Sequence, residues 1–328
     1  MTEIFVTQPV PEAALARLRD GGTVRVFPDA SRILPYDQLR EEAGRCDVLY
    51  CLLHDRVDAG IIAAGQRLRL IASSAIVPAH VDVAAATARG VLVTHIPNIV
   101  AEATADLQWG LLMAVTRRIV EGDRAVRRGL FPGSQSMYFV GGEVHGKVLG
   151  TIGLGAIGRA IARRAAGFGM TVLYTKRSRL MPEEERQLGV DYRPLDTLLG
   201  ESDFVVVNAS YHQGTHHLIG ARELGLMKAT AYLINTARGP IVDEPALVDA
   251  LRAGRIAGAG LDVYEREPQV HPGLLELDRV VLTPHIGSAA RDTRERIAAI
   301  VVDNILTFLR GGRPPFVVNP EVLAGRGA

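Results

Sequence analysis

The chain has 328 residues, 48% of them hydrophobic, and a formal net charge of +1 at pH 7. This length and composition supply apolar material for about two domains. The even charge balance argues against nucleic acid and anionic membranes as partners. The chain does not open with a basic stretch and a long apolar run, and no later apolar run reaches membrane-spanning length, so we expect a soluble cytoplasmic protein.

The cysteines and histidines show no spacing typical of a disulfide or a metal site. Cys46 and Cys51 lie in or beside the apolar run DVLYCLL. We therefore expect buried, reduced thiols. None of the nine histidines occurs in an HExxH or cysteine-histidine pattern, so we expect no metal site.

Apolar, strand-like runs alternate with helical patterns over the first hundred residues. Such alternation predicts right-handed crossovers and a parallel sheet with helices on both faces. The predicted strands are IFVT, TVRVF, DVLYCLL, LRLIAS and VLVTH, and the predicted helices cover residues 11–19, about 36–43, about 59–64 and 83–89.

The same pattern starts again after a long helical stretch predicted from residue 101 to about 128. Two similar α/β units are therefore expected, and a final helix over about 292–309 ends at the Gly- and Pro-rich GGRPPFVVNP. The strands predicted in the second unit are KVLGTIGL, TVLYT, DFVVVNA, AYLINTA, AGAGLDV and RVVLTP.

A glycine-rich turn opens the second unit between its first strand and its first helix. Gly153, Gly155 and Gly158 have GxGxxG spacing in VLGTIGLGAIGRAIARR. The first glycine permits a tight turn, the second lets the backbone approach a pyrophosphate, and the third lets helix and strand pack closely. The helix N-terminus favours the negative charge. This pattern predicts a dinucleotide site.

The end of the following strand, TVLYT, indicates which dinucleotide is used. An acidic residue normally contacts the adenosine ribose hydroxyls at this point in NAD-binding units. This chain has Lys176, Arg177 and Ser178 there instead. Two cations and a hydroxyl group can grip a ribose 2'-phosphate, so we expect a preference for NADPH, with NAD also possible. The alternative is that these residues are only solvated loop cations.

Three polar residues follow predicted strands near the C-terminal end. Arg238 occurs in LINTARGPIVDE, Glu267 in LDVYEREP and His285 in VLTPHIGS. Ligands of open parallel sheets bind outside the carboxyl ends of the strands. An arginine can hold a carboxylate at two points, a histidine can donate a proton near neutral pH, and a neighbouring carboxylate favours the charged imidazole. These groups together could reduce a 2-keto acid.

The chain resembles the D-isomer-specific 2-hydroxyacid dehydrogenase family, and within it the glyoxylate/hydroxypyruvate reductase-like branch. The stretches that carry the resemblance are GLGAIGRAIARRAAGFG, NTARGPIVDEPALVDAL, GLDVYEREP and LTPHIGSA. The resemblance implies a Rossmann-type cofactor domain, residues 101–290, inserted into a flavodoxin-like substrate domain, residues 1–100 and 291–328. It also implies a homodimer formed through the cofactor domain.

By the same resemblance, Arg238 binds the substrate carboxylate, His285 is the acid-base residue and Glu267 pairs with its imidazole. Thr104 is expected to meet the nicotinamide-side phosphate and Asp262 the carboxamide. The full set of cofactor-binding residues that we predict is Thr104, Gly153, Gly155, Ala156, Ile157, Gly158, Lys176, Arg177, Ser178, Thr236, Ala237, Asp262 and Gly287.

One segment of the expected substrate domain departs from the family pattern. Members of this family usually have a glycine-containing loop here that offers backbone N–H groups to the substrate carboxylate, whereas residues 73–80 of this chain read SSAIVPAH. No glycine can relieve an unusual backbone conformation there, and Pro78 has no N–H to donate. We expect the amides of Ile76 and Val77 to bind substrate in this loop.

The motifs together predict an NADPH-dependent reductase of small 2-keto acids that forms the D-hydroxy acid. Glyoxylate and hydroxypyruvate are the leading substrates, and a larger sugar acid such as 2-ketogluconate is the alternative. Phosphite oxidation is disfavoured by Ile76 where that branch has lysine, and formate oxidation by Glu267 where that branch has glutamine. A dinucleotide-sensing corepressor shares the fold and is the non-enzymatic alternative. It should show long flanking tails and peptide-binding surfaces, and from the short tail at residue 328 we do not expect this role.

Overall fold

The structure is a computed structural model and describes residues 1–324. The chain divides into two compact units. The first comprises Met1–Ile99 and the segment that starts at Ala290, and the second is Val100–Ala289. The domain limits predicted from the sequence lie one residue from these, and residues 325–328 of the predicted substrate domain lie outside the described residues. No helix within 1–324 is both long and apolar enough to cross a membrane.

A five-stranded sheet forms the centre of the first unit. All of its strand pairs are parallel, and the strand order is β2-β1-β3-β4-β5. The strands are β1 (Glu3–Val6), β2 (Thr23–Val26), β3 (Val48–Cys51), β4 (Leu70–Ser73) and β5 (Leu92–Thr94). The helices are α1 (Glu12–Leu18), α2 (Tyr36–Arg45), α3 (Ala59–Ala64), α4 (Val83–Ala88), α13 (Arg291–Leu309) and α14 (Glu321–Ala324).

Both faces of this sheet are covered, which explains why its central strands are uninterrupted apolar runs. Every residue of β3 and of β4 is buried, as expected for parallel strands between two layers of helices. Cys46 and Cys51 are both buried free thiols in this core, as predicted. Burial raises the pKa of the Cys46 thiol to about 12.

The second unit contains a seven-stranded sheet, also fully parallel, with strand order β12-β11-β10-β9-β6-β7-β8. Its strands are β6 (Val148–Ile152), β7 (Thr171–Thr175), β8 (Val190–Tyr192), β9 (Phe204–Val207), β10 (Tyr232–Asn235), β11 (Gly258–Leu261) and β12 (Val280–Leu282). Its helices are α5 (Ala101–Thr116), α6 (Ile119–Arg127), α7 (Ala156–Ala166), α8 (Pro182–Leu188), α9 (Leu195–Glu201), α10 (Ala221–Leu226), α11 (Glu244–Arg252) and α12 (Pro272–Leu275).

The two strand orders confirm the predicted fold class. The first is the flavodoxin-like order, and the second contains the Rossmann order, in which the direction of winding reverses between β6 and β9. Ligands of doubly wound sheets bind at such a reversal, outside the carboxyl ends of the strands. The short strand β8 was not among the predicted strands.

The prediction of one helical stretch from residue 101 to about 128 was wrong. The structure breaks it between α5 and α6, where Arg118 takes a left-handed φ of 53°. The carbonyl of Thr116 accepts a hydrogen bond from the N–H of Gly142 (2.9 Å). A Cβ on Gly141 would lie 2.4 Å from that carbonyl oxygen. The end of α5 therefore depends on contacts with Gly141 and Gly142. The spacing of apolar residues within a helix gives no information on such contacts between segments.

A buried asparagine ties the C-terminal segment of the first unit to the edge strand β5. Asn319 is 1% exposed; it accepts from the Val93 N–H (2.7 Å) and donates to the Val91 carbonyl and the Thr87 hydroxyl (2.9 Å each). Without the Asn319 side chain, the Val93 N–H, the Val91 carbonyl and the Thr87 hydroxyl would each lose a hydrogen bond. Buried polar groups that lose their partners lower the stability of a fold.

We expect Asn319→Ala to lower the free energy of unfolding of the first unit by about 2–4 kcal/mol, because it leaves a buried N–H and a buried carbonyl unpaired. Urea denaturation should show this loss, and hydrogen exchange should show faster exchange of the Val93 amide. The control is Asn98→Ala at an exposed position, where a change within about 0.5 kcal/mol is expected. Equal stability of the two variants would contradict the anchoring role of Asn319.

Candidate active site

The candidate site lies at the carboxyl ends of three neighbouring strands of the second unit. Arg238 follows β10, Glu267 follows β11, and His285 follows β12. These strands are adjacent and parallel in the sheet. The three segments predicted to carry the chemistry therefore leave the sheet at one edge.

The structure joins His285 and Glu267 directly. Nδ1 of His285 lies 2.7 Å from Oε2 of Glu267, and Oε1 of Glu267 accepts the Tyr264 N–H (3.0 Å). Burial alone would raise the pKa of Glu267. The hydrogen bonds from His285 and Tyr264, with the charges of His285 and Arg238, outweigh burial and hold this pKa below its usual value. The carboxylate therefore stays ionised at neutral pH and fixes the imidazole by its Nδ1 atom.

A buried carboxylate holds the loop that carries His285. Asp262 is 1% exposed and accepts from the N–H groups of Ile286 and Gly287 (2.8 Å each) and from the Thr283 hydroxyl (2.7 Å). The His285 N–H donates to the Asp262 carbonyl (2.9 Å), and His285 itself has a left-handed φ of 53°. Such a conformation costs on the order of 1–3 kcal/mol outside glycine, so the surrounding bonds must enforce it.

Arg238 extends from a turn that is shaped by Asn235. The Asn235 side chain donates to the Arg238 carbonyl and accepts from the Ala237 N–H (3.0 Å each). The Arg238 side chain is exposed, and its guanidinium donates to the Ala237 carbonyl (2.6 Å). Because a guanidinium has five N–H donors, most of them stay available for a ligand.

Close packing of two backbones brings the Arg238 segment against the Glu267 segment. A Cβ on Gly239 would lie 1.9 Å from the carbonyl carbon and oxygen of Tyr264. No side chain other than hydrogen fits in this space. The glycine after Arg238 is therefore required for the contact between the two segments.

The glycine-rich turn fits a dinucleotide. Gly153 has φ 96°, and a Cβ there would lie 2.5 Å from the Asn208 carbonyl oxygen. A Cβ on Gly158 would lie 2.6 Å from the Gly153 carbonyl oxygen, whereas one on Gly155 would point into open space. Gly155 is the N-cap of α7, and no side chain caps this helix. The free first turn, with Ala156 and Ile157, can therefore bind a phosphate group through its amides.

A network of polar side chains beneath this turn was not predicted from the sequence. Gln108 of α5 is fully buried and donates to the Thr236 hydroxyl (3.0 Å) and the Asn208 side-chain oxygen (3.3 Å). Asn208 in turn donates to the Thr151 hydroxyl (3.1 Å), which donates to the Gly153 carbonyl (2.8 Å). A glutamine inside the apolar run LQWGLLMAV was the signal that could have revealed it.

Among the other predicted cofactor residues, Thr104 lies beside Gly287 of the His285 loop. A Cβ on Gly287 would lie 3.4 Å from Cγ2 of Thr104 and 3.2 Å from the Asp262 carboxylate. Thr104 is buried in the first turn of α5. Thr236 and Ala237 belong to the turn after β10, where the Thr236 hydroxyl accepts from Gln108. The contact predicted between Asp262 and a carboxamide stays a prediction.

The structure distinguishes the cations that follow β7. Arg179 is paired at two points with Glu185 (2.8 Å each), and Glu185 also accepts from the Tyr174 hydroxyl (2.6 Å). The hydrogen bonds from Arg179 and Tyr174 lower the pKa of Glu185 to about 2. By contrast, the side chains of Lys176 and Arg177 form no ion pair within residues 1–324, and Arg177 and Ser178 are exposed.

The predicted substrate loop belongs to the first unit. Ile76 is half-buried and Val77 is 72% exposed, and both follow β4. No residue from 73 to 80 takes a positive φ, so the missing glycine causes no backbone strain here. Within residues 1–324 the N–H groups of Ile76 and Val77 donate to no other group.

The chain was compared with known proteins. The family model described as D-isomer specific 2-hydroxyacid dehydrogenase, NAD binding domain, matches residues 109–287. A glyoxylate reductase from Pyrococcus horikoshii is 45% identical over 325 residues, which are 98% of this chain and 97% of the relative.

Solved structures agree with this match. The TT0316 protein from Thermus thermophilus is 41% identical, with a TM-score of 0.90 over 97% of this chain and 100% of the other. An NADPH-dependent glyoxylate/hydroxypyruvate reductase from Sinorhizobium meliloti, in complex with NADP and malonate, is 30% identical, with a TM-score of 0.78 over 97% and 96% of the two chains. The predicted family is thereby confirmed: the chain belongs to the D-isomer-specific 2-hydroxyacid dehydrogenases, in their glyoxylate reductase branch.

Proposed function

We propose that the protein reduces small 2-keto acids, with glyoxylate and hydroxypyruvate as leading substrates, to the D-2-hydroxy acids, and prefers NADPH. The observation that carries this proposal is the His285–Glu267 pair at the strand edge that also carries Arg238. The positive charge of Arg238 contributes to lowering the pKa of Glu267, so the guanidinium interacts electrostatically with the carboxylate that holds His285. Relatives named glyoxylate reductase support the choice of a short substrate.

His285 supplies the proton in this proposal. A bound nicotinamide would supply the hydride that forms the new C–H bond at the keto carbon. The carbonyl π bond then opens onto oxygen, where negative charge develops. Because Nδ1 of His285 is held by Glu267, Nε2 is the nitrogen that gives its proton to that oxygen. Glu267 keeps the ring oriented through its bond to Nδ1.

The exposed guanidinium of Arg238 can bind the substrate carboxylate at two points. We also propose that the amides of Ile76 and Val77 bind substrate, since these N–H groups donate to no group within the described residues. The first unit accordingly acts as the substrate domain and the second as the cofactor domain.

We expect the purified protein to oxidise NADPH when glyoxylate or hydroxypyruvate is added, and His285→Asn to lower kcat by about 10²–10⁴-fold. Asparagine tolerates the left-handed backbone of His285 but cannot donate an acidic proton. NADPH affinity, measured by fluorescence titration, should stay within twofold. The control is His145→Asn, outside the site, which should keep full activity. A wild-type protein that turns over 2-ketogluconate but neither short acid would overturn the substrate proposal.

The proposed preference for NADPH rests on Lys176 and Arg177, the two cations after β7 that have no ion-pair partner within residues 1–324. A ribose 2'-phosphate can bind Lys176 and Arg177 without breaking an existing ion pair, and the Ser178 hydroxyl is exposed beside them. Arg179 is already neutralised by Glu185, so it contributes less. The Sinorhizobium relative is described as NADPH-dependent, which supports the same choice.

We expect the double variant Lys176→Gln, Arg177→Gln to raise the KM for NADPH roughly 10-fold or more, because it removes charge-assisted bonds to the 2'-phosphate. The KM for NADH should stay within twofold, since NADH lacks that phosphate. Steady-state kinetics with both cofactors measures this, with exposed Arg89→Gln as the control. Equal use of NADH and NADPH by the wild type would contradict the preference.

The second unit also carries an exposed apolar segment, and we infer that it forms a homodimer interface. In and after α6, Ile119, Val126, Leu130, Phe131 and Met137 are 54–80% exposed. Large apolar side chains clustered on one surface segment are typical of interfaces. A second copy of the chain is the partner that the family resemblance implies.

We expect the wild type to sediment as a dimer and the double variant Phe131→Asp, Met137→Asp to sediment as a monomer, because two buried carboxylates would oppose association. Analytical ultracentrifugation measures the mass. Leu275→Asp is the control, since Leu275 is 66% exposed in α12, outside this segment, and it should leave the dimer intact. A monomeric wild type would exclude this interface.

A further inference from the structure

His217 lies between the segments that carry Arg238 and Glu267, and no role proposed above uses it. We propose that His217 is a positioning residue that holds these two segments in the geometry required for proton transfer. The inference rests on the proposed reductase function and extends it to a residue to which that proposal gives no contact with substrate or cofactor.

The backbone of His217 is attached to the Arg238 segment. The His217 N–H donates to the Pro240 carbonyl (2.8 Å), two residues after Arg238. The Ile219 N–H donates to the Ile241 carbonyl (3.1 Å), and the Asp243 N–H donates to the Ile219 carbonyl (3.0 Å). These bonds form an isolated parallel bridge between Ile219 and Val242, which fixes where the chain runs after Arg238.

The side chain of His217 is attached to the Glu267 segment. Its Nε2 lies 2.9 Å from Oε1 of Glu265, and its Nδ1 lies 3.6 Å from Oδ2 of Asp243. The Glu265 N–H donates to the Glu244 carboxylate (2.7 Å). Glu265 is two residues before Glu267, so a bond to its side chain restrains the turn that presents Glu267 to His285.

The conformation of His217 is consistent with a specific positioning role. Its φ of 49° is left-handed, which is rare for a non-glycine residue. The ring of His216 stacks on it with the ring centroids 4.0 Å apart. The packed ring and the backbone bonds thus retain a conformation that costs free energy. Displacement of a catalytic group by about 1 Å can cost about 10²-fold in rate, so loss of this restraint should be measurable.

The first test uses His217→Asn, since asparagine tolerates the left-handed backbone but is too short to reach Glu265. We expect kcat with glyoxylate to fall about 10- to 100-fold, with the KM for NADPH and the thermal midpoint nearly unchanged. His145→Asn, at an exposed position away from this contact, is the control and should stay within twofold of the wild type. Glu265→Gln weakens the same contact from the other side and should give a similar loss if His217→Asn folds poorly.

The second test separates positioning from general destabilisation. In a Glu267→Gln background, His217→Asn should cause less than a twofold further loss, because asparagine keeps the backbone bond to the Arg238 segment and removes only the side-chain bond on the Glu267 side. The ¹⁵N NMR signal of His285 Nδ1, assigned with His285→Asn, should shift in His217→Asn without any substrate. Equal losses in both backgrounds, or wild-type kcat with an unchanged His285 signal, would overturn the inference. If the wild type is inactive but the His285 signal still shifts in His217→Asn, the proposed reaction is rejected and the positioning role of His217 stands.

Discussion

The parallel alignment of β10, β11 and β12 is the constraint on which the candidate site depends. Arg238 and His285 are far apart in the sequence, and only adjacent parallel strands deliver them to one sheet edge. Two glycines of β11 permit this alignment. A Cβ on Gly258 would lie 2.6 Å from the Arg279 carbonyl oxygen, and one on Gly260 would lie 3.0 Å from Leu111 of α5. The neighbouring strand and α5 can therefore approach β11 closely.

The strained backbone of His285 shows how the site keeps its geometry. A left-handed histidine costs on the order of 1–3 kcal/mol. Asp262 accepts three hydrogen bonds from the same loop, and a hydrogen bond to a charged group contributes about 1.5–3 kcal/mol. The three bonds are therefore strong enough together to offset the strain. The same carboxylate is almost fully buried, and it would be costly there without these donors.

Some charged side chains of the second unit are paired with other side chains and stabilise the structure, whereas others are left to bind a ligand. Glu185 neutralises Arg179 and binds the Tyr174 hydroxyl, whereas Lys176 and Arg177 have no ion-pair partner within the described residues. Glu267 is ionised and engaged with His285, whereas the Arg238 guanidinium is mostly unengaged. Free cations are suited to bind anionic ligands, because no existing bond must break first.

The sequence by itself determined most strands of both sheets and the residue types at their ends. Apolar runs of strand length, the spacing of Gly153, Gly155 and Gly158, and the polar residues after the last three strands are local patterns, so they predicted two parallel sheets and a dinucleotide turn. Only the tertiary structure decided which partners the polar groups have. The break at Arg118, the pairing of Arg179 with Glu185, the buried Gln108 network and the contact between His217 and Glu265 all join one element or loop to another. Periodicity describes which face of an element is buried, whereas a hydrogen bond between two segments depends on where both of them lie after folding.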